Sequence, residues 1–211
     1  MYKISNNELS DQAYVKVRSM IMSKELKPGQ KIVQDKLADE LGISRTPLRS
    51  ALQMLEGEGL VESIPRKGVI VKEFNDKEVI EIYDCRMALE GTAIRLFAER
   101  ASSEEITTLK EFFNPFLEGE IDEHHYQQAD AEFHDYIIRN CGNSFLQKIF
   151  NQGNLLVCID IIGLLRPADE TLIEHVEIID AIEKKDIDLA ETLLKSHLDI
   201  SKQLILKNIN E

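Results

Sequence analysis

Gly42-Ile43-Ser44-Arg45-Thr46-Pro47-Leu48-Arg49-Ser50-Ala51-Leu52-Gln53-Met54-Leu55 is the stretch that decides the fold. Glycine supplies a permissive backbone for a tight turn, and Ile43 fills the angle between the helices on either side. Ser44 is a good N-cap, and Pro47 falls in the first turn, where a missing N–H costs little. Leu48, Ala51, Leu52 and Leu55 recur at helical spacing and form a buried face. The opposite face presents Arg45, Thr46, Arg49 and Gln53. Immediately upstream, a short helix is predicted over about Gln34 to Leu41, burying Leu37, Ala38 and Leu41. Two short helices about a glycine turn, the second with arginines at i and i+4 near its start, form a helix-turn-helix. Arginine at that end of a helix reaches the major groove, where it pairs in bidentate fashion with guanine, and the helix N-terminus around Ser44 favours phosphate.

Working outward, Asp11 to Ser23 carries Val17, Met20 and Ile21 at helical period, and Leu26-Lys27-Pro28-Gly29 breaks it. Downstream of Gly57 and Gly59 lie two β-rich runs, Leu60 to Ile64 and Val69 to Val71. Pro65-Arg66-Lys67-Gly68 between them predicts a hairpin tip with two cations, the shape of a wing that touches the minor groove or backbone. Residues 1–74 therefore read as a winged helix-turn-helix domain that binds double-stranded DNA.

Charge divides the 211-residue chain in the same place. The net charge of −13 argues against a nucleic-acid partner until it is resolved by segment. Residues 1–74 hold 12 Lys+Arg and 10 Asp+Glu, whereas residues 75–211 hold 13 and 28, a net of −15. Only the first segment tolerates a phosphate backbone, because neutralising phosphates takes a local excess of cations. Hydrophobic residues make up 43% and aromatics only 6%, with no Trp, which favours helices over a β-sandwich. The first residues, Met1 to Asn7, have no apolar core or cleavage signature, so no signal peptide is expected. The longest apolar stretch, Leu155 to Leu165, contains Asp160 and is too short to span a membrane. Cys85, Cys141 and Cys158 are odd in number and far apart, which predicts reduced, buried thiols and a cytoplasmic protein.

Residues 75–211 read as an all-α helical bundle. Asn75-Asp76-Lys77-Glu78 and Ser102-Ser103-Glu104-Glu105 are capping sequences that start two helices. Further helices are predicted over about Asp122–Cys141, Ser144–Leu165, Glu170–Lys184 and Asp186–Asn208, six in all. Polar residues interrupt their apolar stripes. Asp130 and His134 lie i, i+4 on or beside the face formed by Tyr126, Ala129, Phe133 and Ile137. His175 accompanies Leu172, Val176 and Ile179, and His197 sits within Leu189, Leu193, Ile200 and Leu204. One oxygen and three nitrogen ligands suit a divalent metal: zinc first, with nickel, manganese or iron as alternatives. Three separately satisfied core histidines fit the same pattern. His124 and His125 are expected to be exposed. On the helix from Asn75, Arg86 and Glu90 lie in the centre of the stripe Val79, Tyr83, Met87, Ile94 and Phe97. A buried Arg requires a partner, which is either Glu90 or an anionic ligand.

Residues 10–72 closely resemble the DNA-binding domain of GntR-family transcriptional regulators. The resemblance rests on Leu26-Lys27-Pro28-Gly29, Ser44-Arg45-Thr46-Pro47-Leu48-Arg49 within Leu37 to Leu55, and Gly59-Leu60-Val61. It implies DNA contacts from Arg45, Thr46, Arg49 and the wing residues Arg66, Lys67 and Gly68, with Ser44 at the helix start. The family commonly has an Arg two residues before the position of Leu37. This chain has Asp35, and Lys36 is the nearest cation. Asp130-Ala131-Glu132-Phe133-His134, Glu174-His175 with Ile178 to Ile182, and Ser196-His197-Leu198 resemble the FCD effector domain of the FadR-type subfamily. That resemblance implies a metal held by Asp130, His134, His175 and His197. Arg86 with Leu89-Glu90 resembles the effector-pocket motif of the same domain, with Arg139 and Asn143 as further pocket candidates. The chain is accordingly expected to be no enzyme but a homodimeric, metal-containing repressor, whose operator binding responds to a small organic acid. The competing expectations are a metal-dependent hydrolase tethered to DNA and a regulator with a purely structural metal.

Overall fold

A computed structural model describes residues 7–210, and the chain divides into two compact units between Glu73 and Phe74. The first contains α1 (Asn7–Met22), α2 (Gln34–Leu41), α3 (Arg45–Gly57) and the strands β1 (Val61–Ile64) and β2 (Gly68–Val71). Val17, Met20 and Ile21 of α1 pack with Leu48, Ala51, Leu52 and Leu55 of α3 to form its core. Each fully buried aliphatic side chain of this kind contributes about 1.5–3 kcal/mol. Gly42 terminates α2 at φ 68°, where its N–H and that of Ile43 bond back to Asp39 and Ala38. A residue with a Cβ would strain that left-handed backbone, so the glycine sets the angle between α2 and α3. Ser44 occupies the extended cap position, but its hydroxyl makes no capping bond, so its value there is conformational. β1 and β2 pair antiparallel, with Val61 opposite Val71 and Ile64 opposite Gly68. The segment ahead of α2 joins them through Ile32 N–H to Val69 O at 2.9 Å. At the hairpin tip Lys67 N–H bonds to Ile64 O, and Arg66 takes φ 68°. Proline cannot adopt positive φ, so this is a type II turn with an arginine where glycine is usual.

The second unit is all helical: α4 (Asp76–Arg100), α5 (Ser103–Phe113), a 3-10 turn (Asn114–Phe116), α6 (Glu123–Asn140), α7 (Ser144–Gln152), α8 (Leu155–Ile162), α9 (Ala168–Glu183) and α10 (Ile187–Asn210). Both predicted capping boxes form, Asn75 with Glu78 and Ser102 with Glu105. Phe97, Phe113, Tyr126, Phe133 and Phe150 are fully buried, and α4 packs most extensively along α10.

Three sequence expectations need correction. The single helix expected over Ser144 to Leu165 is two, parted at Gly153 and Asn154, the latter in left-handed backbone at φ 49°. Among the described residues the bundle therefore has seven α-helices rather than six. α10 turns a different face inward: Ala190, Leu194, His197, Leu198, Ser201 and Ile205 are buried, whereas Leu189, Ile200 and Leu204 are exposed. Both sets fit a helical period, and weighting large apolar residues selects the wrong one, because the buried face includes the small Ala190 and the polar His197 and Ser201. Finally, Cys141 and Cys158 are buried thiols, but Cys85 is exposed.

Candidate metal centre and nucleic-acid interface

In the first unit, α3 leaves Arg45, Thr46 and Arg49 exposed at its start while Leu48 anchors the opposite face. Ser44, Lys36, and the hairpin-tip residues Arg66, Lys67 and Gly68 are exposed as well. Lys36 pairs with Glu40 at 3.6 Å, and Arg45 pairs with Asp35 at 3.0 Å. Among the described residues Arg49, Arg66 and Lys67 make no ion pair. The unit thus carries uncompensated cations at a helix N-terminus and on a β-hairpin tip, the two elements a winged helix applies to DNA.

In the second unit the elements converge on one buried point. Asp130 and His134 project from α6, His175 from α9 and His197 from α10, with one ligand-capable atom of each within 4.8 Å of the others. The three imidazole centroids lie 4.6–5.6 Å apart. Phe113 stacks on His175 at 4.5 Å, and Phe133 meets the same ring edge-on, so the walls are apolar.

Each imidazole is oriented from behind. His134 Nδ1 lies 2.6 Å from Glu90 Oε2, and His197 Nδ1 lies 2.7 Å from Glu174 Oε2. His175 Nδ1 lies 3.0 Å from Tyr126 Oη, which is 2.9 Å from Thr171 Oγ1. With Thr171 donating to Pro167 O or Ala168 O, Tyr126 donates to Thr171 and accepts from His175 Nδ1–H, the tautomer that leaves Nε2 free for a metal. Carboxylates accept only, so His134 and His197 likewise carry their protons on Nδ1. All three Nε2 lone pairs are left on the far side. His134 Nε2 and His175 Nε2 are buried with no hydrogen-bond partner. Asp130 Oδ1 stands 3.4 Å from His175 Nε2 and 4.0 Å from His134 Nε2, an acceptor facing acceptors. Such a concentration of lone pairs without a proton is repulsive unless a cation lies between them, and the donor set fits a divalent metal.

The charges agree. Burial, then the other two imidazoles, hold His175 well below the usual 6.5; burial, with His134 assisting, lowers His197 against the pull of Glu174. Both rings are therefore neutral near pH 7, as metal ligation requires. Burial pushes Glu90 up, but the charge of Arg86 and the bond to His134 outweigh it and bring the carboxyl to about 2. Glu174 also reaches about 2, with burial overcome by its bonds to His197 and Arg166.

Arg86 is neutralised by Glu90, with Nε to Oε1 at 2.6 Å, and lies over the Tyr83 ring at 5.0 Å. A guanidinium has five N–H groups, so donors remain beyond those that Glu90 takes. Arg139 and Asn143 are not brought to the cluster. Arg139 reaches outward to Glu132 and Asp135, and the Asn143 side chain caps α7 by accepting from Leu146 N–H. A polar residue at a helix end is more useful to the unpaired backbone there than to a distant pocket. His124 and His125 are exposed at the start of α6.

Sequence reasoning missed Arg166, Glu174 as its partner, and the orienting role of Tyr126. Arg166 bonds Glu174 Oε1 at 2.8 Å and Ser201 Oγ at 3.1 Å, giving a second Arg–Glu–His relay beside Arg86–Glu90–His134. Arg166 precedes Pro167 and read only as a helix stop. No periodicity rule links it to a residue eight positions on.

Comparison with known proteins agrees with this geometry. Residues 9–71 match the family described as bacterial regulatory proteins, gntR family, and residues 81–200 match the FCD domain. The chain belongs to this family: it is a DNA-binding transcription regulator with a winged helix-turn-helix domain and a helical FCD domain. It is 31% identical to the probable D-xylose utilization operon transcriptional repressor of Paenarthrobacter nicotinovorans, over 81% of this chain and 76% of that one. It is 28% identical to the gluconate operon transcriptional repressor of Bacillus licheniformis, over 87% and 79%. A GntR regulator from Rhodococcus sp. RHA1 shares the fold with a TM-score of 0.81 at 20% identity, covering 95% of this chain and 99% of that one. The family and its relatives are regulators, which sets aside the hydrolase expectation. Among the described residues no helix is long and apolar enough to cross a membrane.

Proposed function

We propose that the chain is a homodimeric, metal-dependent repressor of a small catabolic operon, acting in the cytoplasm and released or engaged by a small organic-acid effector. The observation that carries the metal is the pair of buried, partnerless nitrogens, His134 Nε2 and His175 Nε2, facing the Asp130 carboxylate. Asp130, His134, His175 and His197 would hold the ion, with zinc favoured by three imidazoles and one oxygen and nickel, manganese or iron as alternatives. A bound divalent cation supplies positive charge and open positions for a ligand oxygen.

The remaining work belongs to the chain. Glu90, Glu174 and Tyr126 fix the imidazole tautomers, while Arg86 supplies spare N–H donors for an anion. Phe113 and Phe133 exclude water from one side of the rings. Arg45, Thr46 and Arg49 would read the major groove, with Ser44 and Lys36 beside them, and Arg66, Lys67 and Gly68 would lie against the backbone or minor groove. Relatives whose names tie them to gluconate and D-xylose operons support the repressor reading. An effector changes operator binding only by its differential affinity for two arrangements of the protein.

Elemental analysis of the purified full chain beside Asp130→Ala and a His134→Ala/His197→Ala variant tests the centre. About one metal per chain, lost in both variants, is expected for a four-ligand site. A folded wild type without stoichiometric metal overturns it.

A further inference from the structure

One arginine of the recognition surface is in a different state from the others. Arg45, the first residue of α3, has its Nε 3.0 Å from Oδ1 of Asp35, the second residue of α2. Arg49, one turn further along α3, makes no ion pair, and neither do Arg66 and Lys67. The Asp35 and Arg45 side chains are 68% and 64% exposed, and an ion pair so open to water adds almost nothing to stability. The bridge spans the two helices of the helix-turn-helix on the face that α3 turns to solvent. Its consequence falls on what Arg45 can touch.

We propose that Asp35 is a specificity-determining residue, which buttresses Arg45 for a guanine edge and denies it to phosphate. This rests on the reading of α3 as the recognition helix. The chemistry follows from the guanidinium. Occupying Nε leaves the edge formed by the two terminal nitrogens free, and that edge matches the O6 and N7 acceptors of guanine. Those acceptors are neutral, so a carboxylate behind the arginine does not repel them. A phosphate at the same edge would bring a second anion close to Asp35, and like charges at that distance disfavour the contact. Holding the long side chain in one orientation also removes rotamer freedom before the base is met. Arg49, with no such buttress, keeps both options.

The test is selection from random-sequence duplexes with the full chain, followed by affinities on a selected and an unrelated duplex over a range of salt. The set comprises wild type, Asp35→Asn, Arg45→Ala, the double variant, and Asp39→Asn, an exposed acid of the same helix that makes no ion pair among the described residues. Wild type should select a site containing a guanine whose preference disappears in Arg45→Ala. Asp35→Asn should weaken that preference about fivefold to tenfold, the low end of what a bidentate base contact supplies. On the unrelated duplex, the slope of log affinity against log salt should steepen by about 0.9 as Arg45 turns to a phosphate. Asp39→Asn should tighten every duplex alike, and Asp35→Asn should leave base preference unchanged in the Arg45→Ala background. If Asp35→Asn behaves as Asp39→Asn, the proposal is overturned while the recognition helix stands. A selected site indifferent to Arg45→Ala has the same meaning. A wild type that selects no sequence overturns both.

Discussion

The two units use charge in opposite ways. In the first, every cation of the proposed DNA face is on the surface, its partner, where it has one, is an exposed acid, and among the described residues the core beneath is apolar. In the second, Arg86, Glu90, Asp130, Arg166 and three histidines are buried, with Glu90 bonded to Arg86 and His134, Glu174 bonded to Arg166 and His197, and His175 set by Tyr126. Recognition and folding are therefore separable in one unit and fused in the other. A surface arginine can be removed without disturbing the helix that carries it. A buried one leaves an uncompensated carboxylate, and the site and the fold fail together.

The largest effect that would sharpen this contrast is Arg86→Ala. Removing one partner of the buried pair should cost about 3–5 kcal/mol in urea unfolding of the full chain, because Glu90 stays charged with only His134 for company. A cost under about 1 kcal/mol, the value of an exposed pair, would break the comparison.

Next is the response of the metal-free chain to acid. His175 and His197 have folded values below the usual 6.5, so the unfolded state binds their protons first. Their contribution is complete above that value and is lost as the pH falls below it. Glu90 and Glu174, at about 2 instead of 4.5, contribute fully above 4.5 and lose that contribution between 4.5 and about 2. The urea midpoint, followed by helical circular dichroism, should therefore fall in two stages between pH 7 and 3. A midpoint flat from pH 7 to 5 would mean that the buried rings accept charge freely.

In the first unit, Arg49→Ala should weaken operator binding by about 1–3 kcal/mol, the worth of one good base contact, and leave the melting temperature unchanged. Equal binding would remove the recognition-helix assignment. The smallest effect belongs to Arg139→Ala, an exposed arginine whose partners are the exposed Glu132 and the half-buried Asp135. Stability should move by less than about 0.5 kcal/mol, and metal content should not change. Loss of metal would place Arg139 in the site after all.

The winged helix was almost entirely legible. Gly42, the apolar spacing from Leu48 to Leu55, and Pro65 between two β-rich runs are local signals, and each acts over one turn of helix or one hairpin. Bounds of α2 and the exposed face of α3 came out as read. In the bundle, the capping boxes at Asn75 and Ser102 and the inward placement of Asp130, His134 and His175 were legible for the same reason, since i, i+4 spacing is a property of one helix, whereas His197 is buried although the stripe it was assigned to is not. The split at Gly153 and Asn154 was less so, because an isolated Gly-Asn within an apolar run is compatible with either a kink or a continuous helix.

What the chain could not disclose by itself is everything that depends on which helices meet. Leu189, Ile200 and Leu204 match a helical stripe as well as Ala190, Leu194 and Leu198 do, and only packing against α4 chooses between them. Arg166 finds Glu174 and Ser201, Glu90 finds His134, and Asp35 finds Arg45 across distances in sequence that no periodicity relates. Local spacing determined which residue types share a face of each helix. Tertiary structure decided which faces are buried and which nitrogen of each histidine is left without a proton, because burial and hydrogen-bond partners are properties of the assembled core.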